Sequence, residues 1–180
     1  MSEELSELQE HAEHAKHDPT LAPISVTMAM LAVLVAVVTL LGHRAHTEEV
    51  VLQAKSSDQW AYYQAKNIRR HEDEIFVDLA SVEPTTDAAA SAKLHDKYAS
   101  EAARYKDEQK EIEEKAREME AEVDLVRKRA NRFDLAEVFL EVGLVITSIT
   151  LLSGRRLFWY LGILLGVVGM VIAATGFLVH

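Results

Sequence analysis

The stretch YASEAARYKDEQKEIEEKAREMEAEVDLVRKRANRFDLAEVFLEVGLVITSITL, from Tyr98 to Leu151, decides the fold. Read in steps of three and four it gives Tyr98, Ala102, Tyr105, Gln109, Ile112, Ala116, Met119, Val123, Val126, Ala130 and Phe133. This is a heptad row with one polar break at Gln109, held for about five heptads, the pattern of a coiled-coil helix. The same spacing runs on through Leu140, Leu144 and Leu151, where the surroundings become apolar. One helix is therefore expected to pass from water into a bilayer without a break.

Composition narrows the class. The chain has 180 residues and a net charge of −10, and its charged and uncharged residues fall in separate blocks. Seven glycines and three prolines are too few for a many-turned β fold, and helix formers dominate. Without cysteine there is no disulfide, thiolate nucleophile or Cys-ligated zinc. The acidic balance argues against nucleic acid as a partner. The expected fold is all-α: three transmembrane helices, with a long antiparallel coiled-coil hairpin between the first and the second.

Residues 1–23 read as an acidic tail that lacks the basic start and cleavage site of a signal peptide. His11, His14 and His17 recur every third residue and would share one face of a helical tail, a face suited to Zn²⁺, Ni²⁺ or Cu²⁺ and hence to metal sensing. The plainer alternative is a solvated tail without metal. Residues 24–42, from Ile24 to Gly42, carry no charge and have the length of a first transmembrane helix. Ser25, Ala29, Ala32 and Ala36 line a small-residue face on it.

The extramembrane hairpin spans 43–133, with its tip at about 81–95. On its first arm Val51, Ala54, Ala61, Ala65, Ile68, Ile75 and Leu79 form a row interrupted by Asp58 and Glu72. A second face carries Trp60, Tyr63 and Asn67, with Tyr62 and Phe76 further round. One row would meet the second arm. The aromatic face is then the candidate contact with another copy, so a homo-oligomer is expected, or a protein partner bound through the hairpin. Ser81 to Asp87 breaks the helix, and Thr86 or Asp87 can cap the next. The arms are unequal, roughly 57 and 69 Å. An oblique turn in the small-residue run Ala88–His95 would absorb the excess and bring Glu72 near Arg104.

Residues 134–153 form the second membrane segment, and Asp134, Glu137, Glu141 and Ser148 lie on one of its faces. The apolar run after Glu141 is only about eleven residues, so the acids must sit at the interface or face protein. Rings of intramembrane acids make cation sites in oligomers. The alternative is that they reach the headgroups and pair with Arg127, Lys128, Arg129 or Arg132. After a basic turn at Gly154-Arg-Arg156, residues 157–179 form a third span opened by Phe158, Trp159 and Tyr160. Its Gly162, Gly166 and Gly169, with a GxxxG match, are further candidates for packing against another copy.

Ser25-Val-Thr-Met-Ala-Met-Leu-Ala-Val-Leu-Val-Ala, Leu40-Leu-Gly-His-Arg-Ala-His-Thr-Glu48 and Asp58-Gln-Trp-Ala-Tyr-Tyr-Gln-Ala-Lys-Asn-Ile-Arg69 resemble an uncharacterised bacterial membrane-protein family, domain of unknown function 4337. The resemblance covers nearly the whole chain and implies a bacterial inner-membrane location. It implies no activity and no site residues. Basic residues near the membrane ends, Arg44, Arg127, Lys128, Arg129 and Arg132, favour a cytoplasmic hairpin by the positive-inside rule, with Arg155 and Arg156 opposing it.

Phosphate-loop, nucleophile-elbow and HExxH patterns are missing, as is any cofactor motif, and a non-enzyme is expected. Two functions remain open. One is a homo-oligomeric membrane scaffold working through its coiled-coil arms. The other is an oligomeric cation channel or ion-binding protein using Glu137 and Glu141.

Overall fold

A computed structural model describes residues 21–82 and 87–178, and the expectations for His11, His14 and His17 lie outside them. The described residues form three α-helices and no strand: α1, Ala22–Val82; α2, Ala88–Ser153; and α3, Arg156–Gly176. All three are long and apolar enough to cross a membrane. α1 and α2, with 61 and 66 residues, run to about 90 and 100 Å at the usual helical rise.

Local chemistry sets the ends. Pro23 stands in the first turn of α1, where its missing N–H leaves no bond unmade. Asp87 caps α2, its Oδ1 accepting from the N–H groups of Ala89 and Ala90 at 3.1 Å. This cap, followed by three alanines, corrects one expectation: Ala88–His95 is regular helix and not an oblique turn. Alanine is the best helix former, and a capped alanine run propagates readily. At the other end of α2, Gly154 adopts φ 64° and donates to Thr150 O at 2.9 Å, a left-handed cap that reverses the chain into α3.

The contacts fall into two compact units, Met1–Glu48 with Leu125–His180, and Glu49–Asp124. In the first, Leu31, Val38, Ala45, Ala130, Phe133, Ala136, Leu140 and Ala173 form the core, backed by Leu34, Val35, Leu41, Leu144 and Ile172. The glycines of α3 make this packing close. A Cβ on Gly162 would collide with Thr147 Oγ1 and stand 2.7 Å from Gly143 O; one on Gly169 would stand 2.9 Å from Ala136 O. At Gly166 it would lie 2.6 Å from Leu31. The glycine face is thus filled by α1 and α2 of the same chain.

In the second unit, contacts between the helices include Gln59 to Ile112, Trp60 to Glu120, Lys66 to Glu108 and Phe76 to Tyr98. The expected row of α2 is buried or half-buried at every position from Tyr98 to Phe133. On α1 the expectation is reversed. Val51, Ala54, Ala61, Ala65, Ile68, Ile75 and Leu79 are all exposed. The sheltered row is Leu52, Ser56, Gln59, Tyr63, Lys66, Arg70, Asp73, Val77 and Ala80, also spaced by three and four. Charge supplies the reason. Acidic residues outnumber basic ones along this part of α2, so a row bearing Lys66 and Arg70 suits it better than one bearing Asp58 and Glu72. Glu72 is exposed accordingly, and Arg104 pairs with Glu108 (3.4 Å), not with Glu72.

Candidate functional site

Asp134, Glu137, Glu141 and Ser148 enter α2 on one face, as their spacing requires, yet they do not converge on one point. Asp134 turns to α1, where His46 Nε2 lies 2.9 Å from its Oδ2 and 3.2 Å from its Oδ1. A protonated His46 would make this a charge-assisted pair. Gly42 is buried beside it, and a Cβ there would stand 3.3 Å from Asp134 Oδ1.

One turn on, Glu137 is half-buried and its Oε1 accepts from Thr39 Oγ1 at 2.6 Å; the same hydroxyl lies 2.9 Å from Val35 O. The hydroxyl has one proton, so the two acceptors compete for it. Glu141 is exposed. Ser148 Oγ returns to its own helix, donating to Val145 O at 2.7 Å. Within a single chain these groups make two separate α1–α2 links and leave Glu141 pointing outward. Among the described residues no three His, Cys, Asp or Glu side chains gather closely enough to hold a metal ion.

At the same end of this unit Leu41, Arg44, Ala45, Glu48, Arg129, Phe133 and Phe177 line a groove of about 310 Å³, with Arg129 4.0 Å from Glu48. The rings of Phe133 and Phe177 meet edge to face at 5.4 Å. Towards the opposite end, Trp159 Nε1 donates to Thr27 Oγ1 at 3.1 Å and ties α3 to α1.

The second unit contains the residues expected at an oligomer contact, and it turns them inward or sideways. Trp60 Nε1 donates to Glu120 Oε1 at 2.9 Å, and its ring stands edge-on to Tyr63 at 5.6 Å. Asn67 Oδ1 accepts from Arg70 Nη2 at 3.1 Å. Trp60 thus bonds to α2, while the ring contact of Tyr63 and the hydrogen bond of Asn67 stay within α1.

Lys66 was not singled out by its spacing, yet Glu108, Tyr105 and Tyr62 all meet it. It donates to Glu108 Oε2 at 2.6 Å, and its ammonium lies 4.8 Å from the centre of the Tyr105 ring and 5.5 Å from that of Tyr62. The hydrogen bond to Glu108 raises its pKa. Asp73, on the same sheltered row, has its pKa raised by burial and then by Glu101 and Glu72. The signals that point to these groups are indirect: a lysine and an aspartate recurring in phase with Ser56, Gln59 and Tyr63.

No curated protein and no solved structure matches the chain. The family model described as Domain of unknown function (DUF4337) does match, over residues 20–179. The match takes in all three helices, and the chain belongs to that family.

Proposed function

We propose that the protein is a non-enzymatic, homo-oligomeric scaffold of the bacterial inner membrane. Its three apolar helical segments anchor it, and α1 and α2 extend outside the bilayer as an antiparallel coiled-coil hairpin, on the cytoplasmic side. The observation that carries this reading is the exposed apolar row of α1 between Val51 and Val82. An arm standing in water gains nothing by leaving Ile68, Ile75 and Leu79 more than half exposed, at 59%, 64% and 57%. Such a surface marks a protein contact. The descending order of the α1–α2 contacts supports the antiparallel hairpin, and the basic residues Arg44, Arg127, Lys128, Arg129 and Arg132 support its cytoplasmic side.

The test is the mass of the full-length protein in lipid nanodiscs and in several mild detergents. Defined multimers are expected; a monomer under every condition would sink the scaffold reading.

One observation favours a second reading, an oligomeric cation site. Asp134 and Glu137 have partners on α1, whereas Glu141, about two turns after Asp134, is exposed in an apolar segment. An ionised carboxylate there needs a cation, a proton or water. Glu141→Gln should then abolish cation-dependent stabilisation or bilayer current. Unchanged behaviour across pH 5 to 8 would leave the scaffold alone.

A further inference from the structure

The exposed row on α1 has a regularity that goes beyond scattered apolar residues. Val51, Asp58, Ala65, Glu72 and Leu79 recur every seventh residue, and so do Ala54, Ala61, Ile68, Ile75 and Val82. The two sets interleave by three and four, and each of the ten residues is exposed. This row is displaced by two positions from the sheltered row, which puts the two on nearly opposite sides of the helix. α1 thus has two heptad rows, one occupied by α2 and one unoccupied.

The phase continues towards the N-terminus. Val26, Met30, Val33, Val37 and Leu40 keep the same spacing and are exposed in their turn, between 49% and 65%. Ala29 and Ala36, also exposed, flank them seven residues apart and would permit a close helix approach.

The second arm cannot complement this row. From Ala88 to Phe133, α2 leaves one large hydrophobic residue exposed, Leu94 at 45%. Apart from Val50, Tyr62 and Phe76, which flank it, the large apolar surface that a second copy can offer in its arm is the same row of its own α1. Copies inserted in one bilayer share one topology, so their α1 helices run in the same direction and start at the same depth. We infer that the row from Val51 to Val82 docks on the same row of a second copy, the two α1 helices lying parallel and in register. The inference rests on the membrane-scaffold reading and names the surface that makes the assembly.

Parallel, in-register pairing places each residue of the row against its own counterpart. Eight of the ten layers are then apolar, and Asp58 and Glu72 each face a like charge. Lys55 and Arg69 each stand one turn before an acid, at the edge of the row, and soften the repulsion. A slip of one heptad would separate the acids. It would also drag one membrane segment about 10 Å along the other, and the bilayer opposes that. The acids therefore weaken the pair without changing its register, as a tuning element that keeps assembly reversible.

The chain has no cysteine, so single cysteines report only on themselves. Full-length Ala54→Cys and Leu79→Cys, each in lipid vesicles under mild oxidation, should form disulfide-linked dimers. Gln53→Cys, exposed beside the row, should form few. Antiparallel pairing would bring position 54 near 79 and leave neither able to link to itself, so failure of both overturns the proposal.

If nanodisc masses still show multimers in that case, the scaffold reading stands and only the surface is wrong. If they show monomers, both fall. Asp58→Asn with Glu72→Gln should tighten the association about tenfold, because it removes two like-charge layers. A weaker association would overturn the in-register pairing, which sets each of these acids against its own counterpart. Ile68→Lys with Ile75→Lys, both at exposed positions, should abolish the Ala54→Cys link while helix content is kept. Persistence of the link in that variant would also overturn the proposal.

Discussion

The two compact units of this chain bury opposite kinds of residue. The unit holding the ends of the chain packs glycine and alanine against leucine and phenylalanine, with helix backbones close enough that Gly143 and Gly162 admit no side chain between them. The unit from Glu49 to Asp124 shelters Ser56, Gln59, Lys66, Arg70 and Asp73 on α1 and leaves that helix's apolar row outside. On the membrane reading proposed above, solvent explains the contrast. In a bilayer, apolar side chains gain little by leaving lipid, and small residues that allow backbone contact decide which face turns inward. In water the apolar row should have been buried first, at about 25 cal/mol per Å². On the scaffold reading proposed above, its exposure makes the second unit half of an interface, while the first is complete in one chain.

The contrast can be broken most sharply at Gly162. Gly162→Leu places a side chain where Thr147 Oγ1 and Gly143 O already stand. A loss of about 3 kcal/mol or more is expected, since overpacking at a backbone contact has nowhere to relax. The check is thermal unfolding of the full-length protein in detergent. A shift within error would mean that α3 packs loosely and that the first unit is no more complete than the second.

A smaller effect, of about 1 to 2 kcal/mol, is expected in the second unit from Lys66→Met, which removes the donor to half-buried Glu108. The pH dependence sharpens this point. The pKa of Lys66 is raised in the folded state, so its contribution is fully present below the unfolded value and is lost as pH rises through the folded one. The Met variant should therefore differ most from wild type at neutral pH and least in strong alkali, by helix content during denaturant titration.

Asp73 acts with the opposite sign. Its raised pKa means that folding favours the protonated acid, so its unfavourable contribution grows as pH rises through the carboxylate range. Asp73→Asn should stabilise the arm by under about 1 kcal/mol at neutral pH and have no effect once the acid is protonated. Destabilisation at pH 7 would show that Asp73 is held by a favourable partner.

The smallest change is expected from Arg117→Ala. Its two bonds to Glu113 are an exposed pair one turn apart, and no measurable shift should follow.

The α2 row was legible from Tyr98 to Phe133 because only one phase of that helix is apolar. α1 carries two rows in two phases, and spacing alone does not say which of them α2 takes. The choice depends on charges that lie far away in sequence, such as Glu108 opposite Lys66. The glycines of α3 announced a close contact without naming its partner, and the partner is the same chain. The acids of α2 were found by their spacing. Their partners His46 and Thr39 lie 88 and 98 residues away and left no local trace. Ala88–His95 was misread because small residues suit a turn and a helix alike, and the cap at Asp87 decides between them.

If α3 spans a bilayer, as proposed above, the ring contact at its end has a consequence for bilayer thickness. α3 is held at its start by the tight Gly154 reversal and at its finish by Phe133 against Gly176 and Phe177. Its 21 residues come to about 31 Å, close to a typical hydrocarbon core. Pinned at both ends, α3 cannot slide along α2 to match a thinner or thicker membrane. The whole three-helix unit must tilt instead, or the lipid around it must deform.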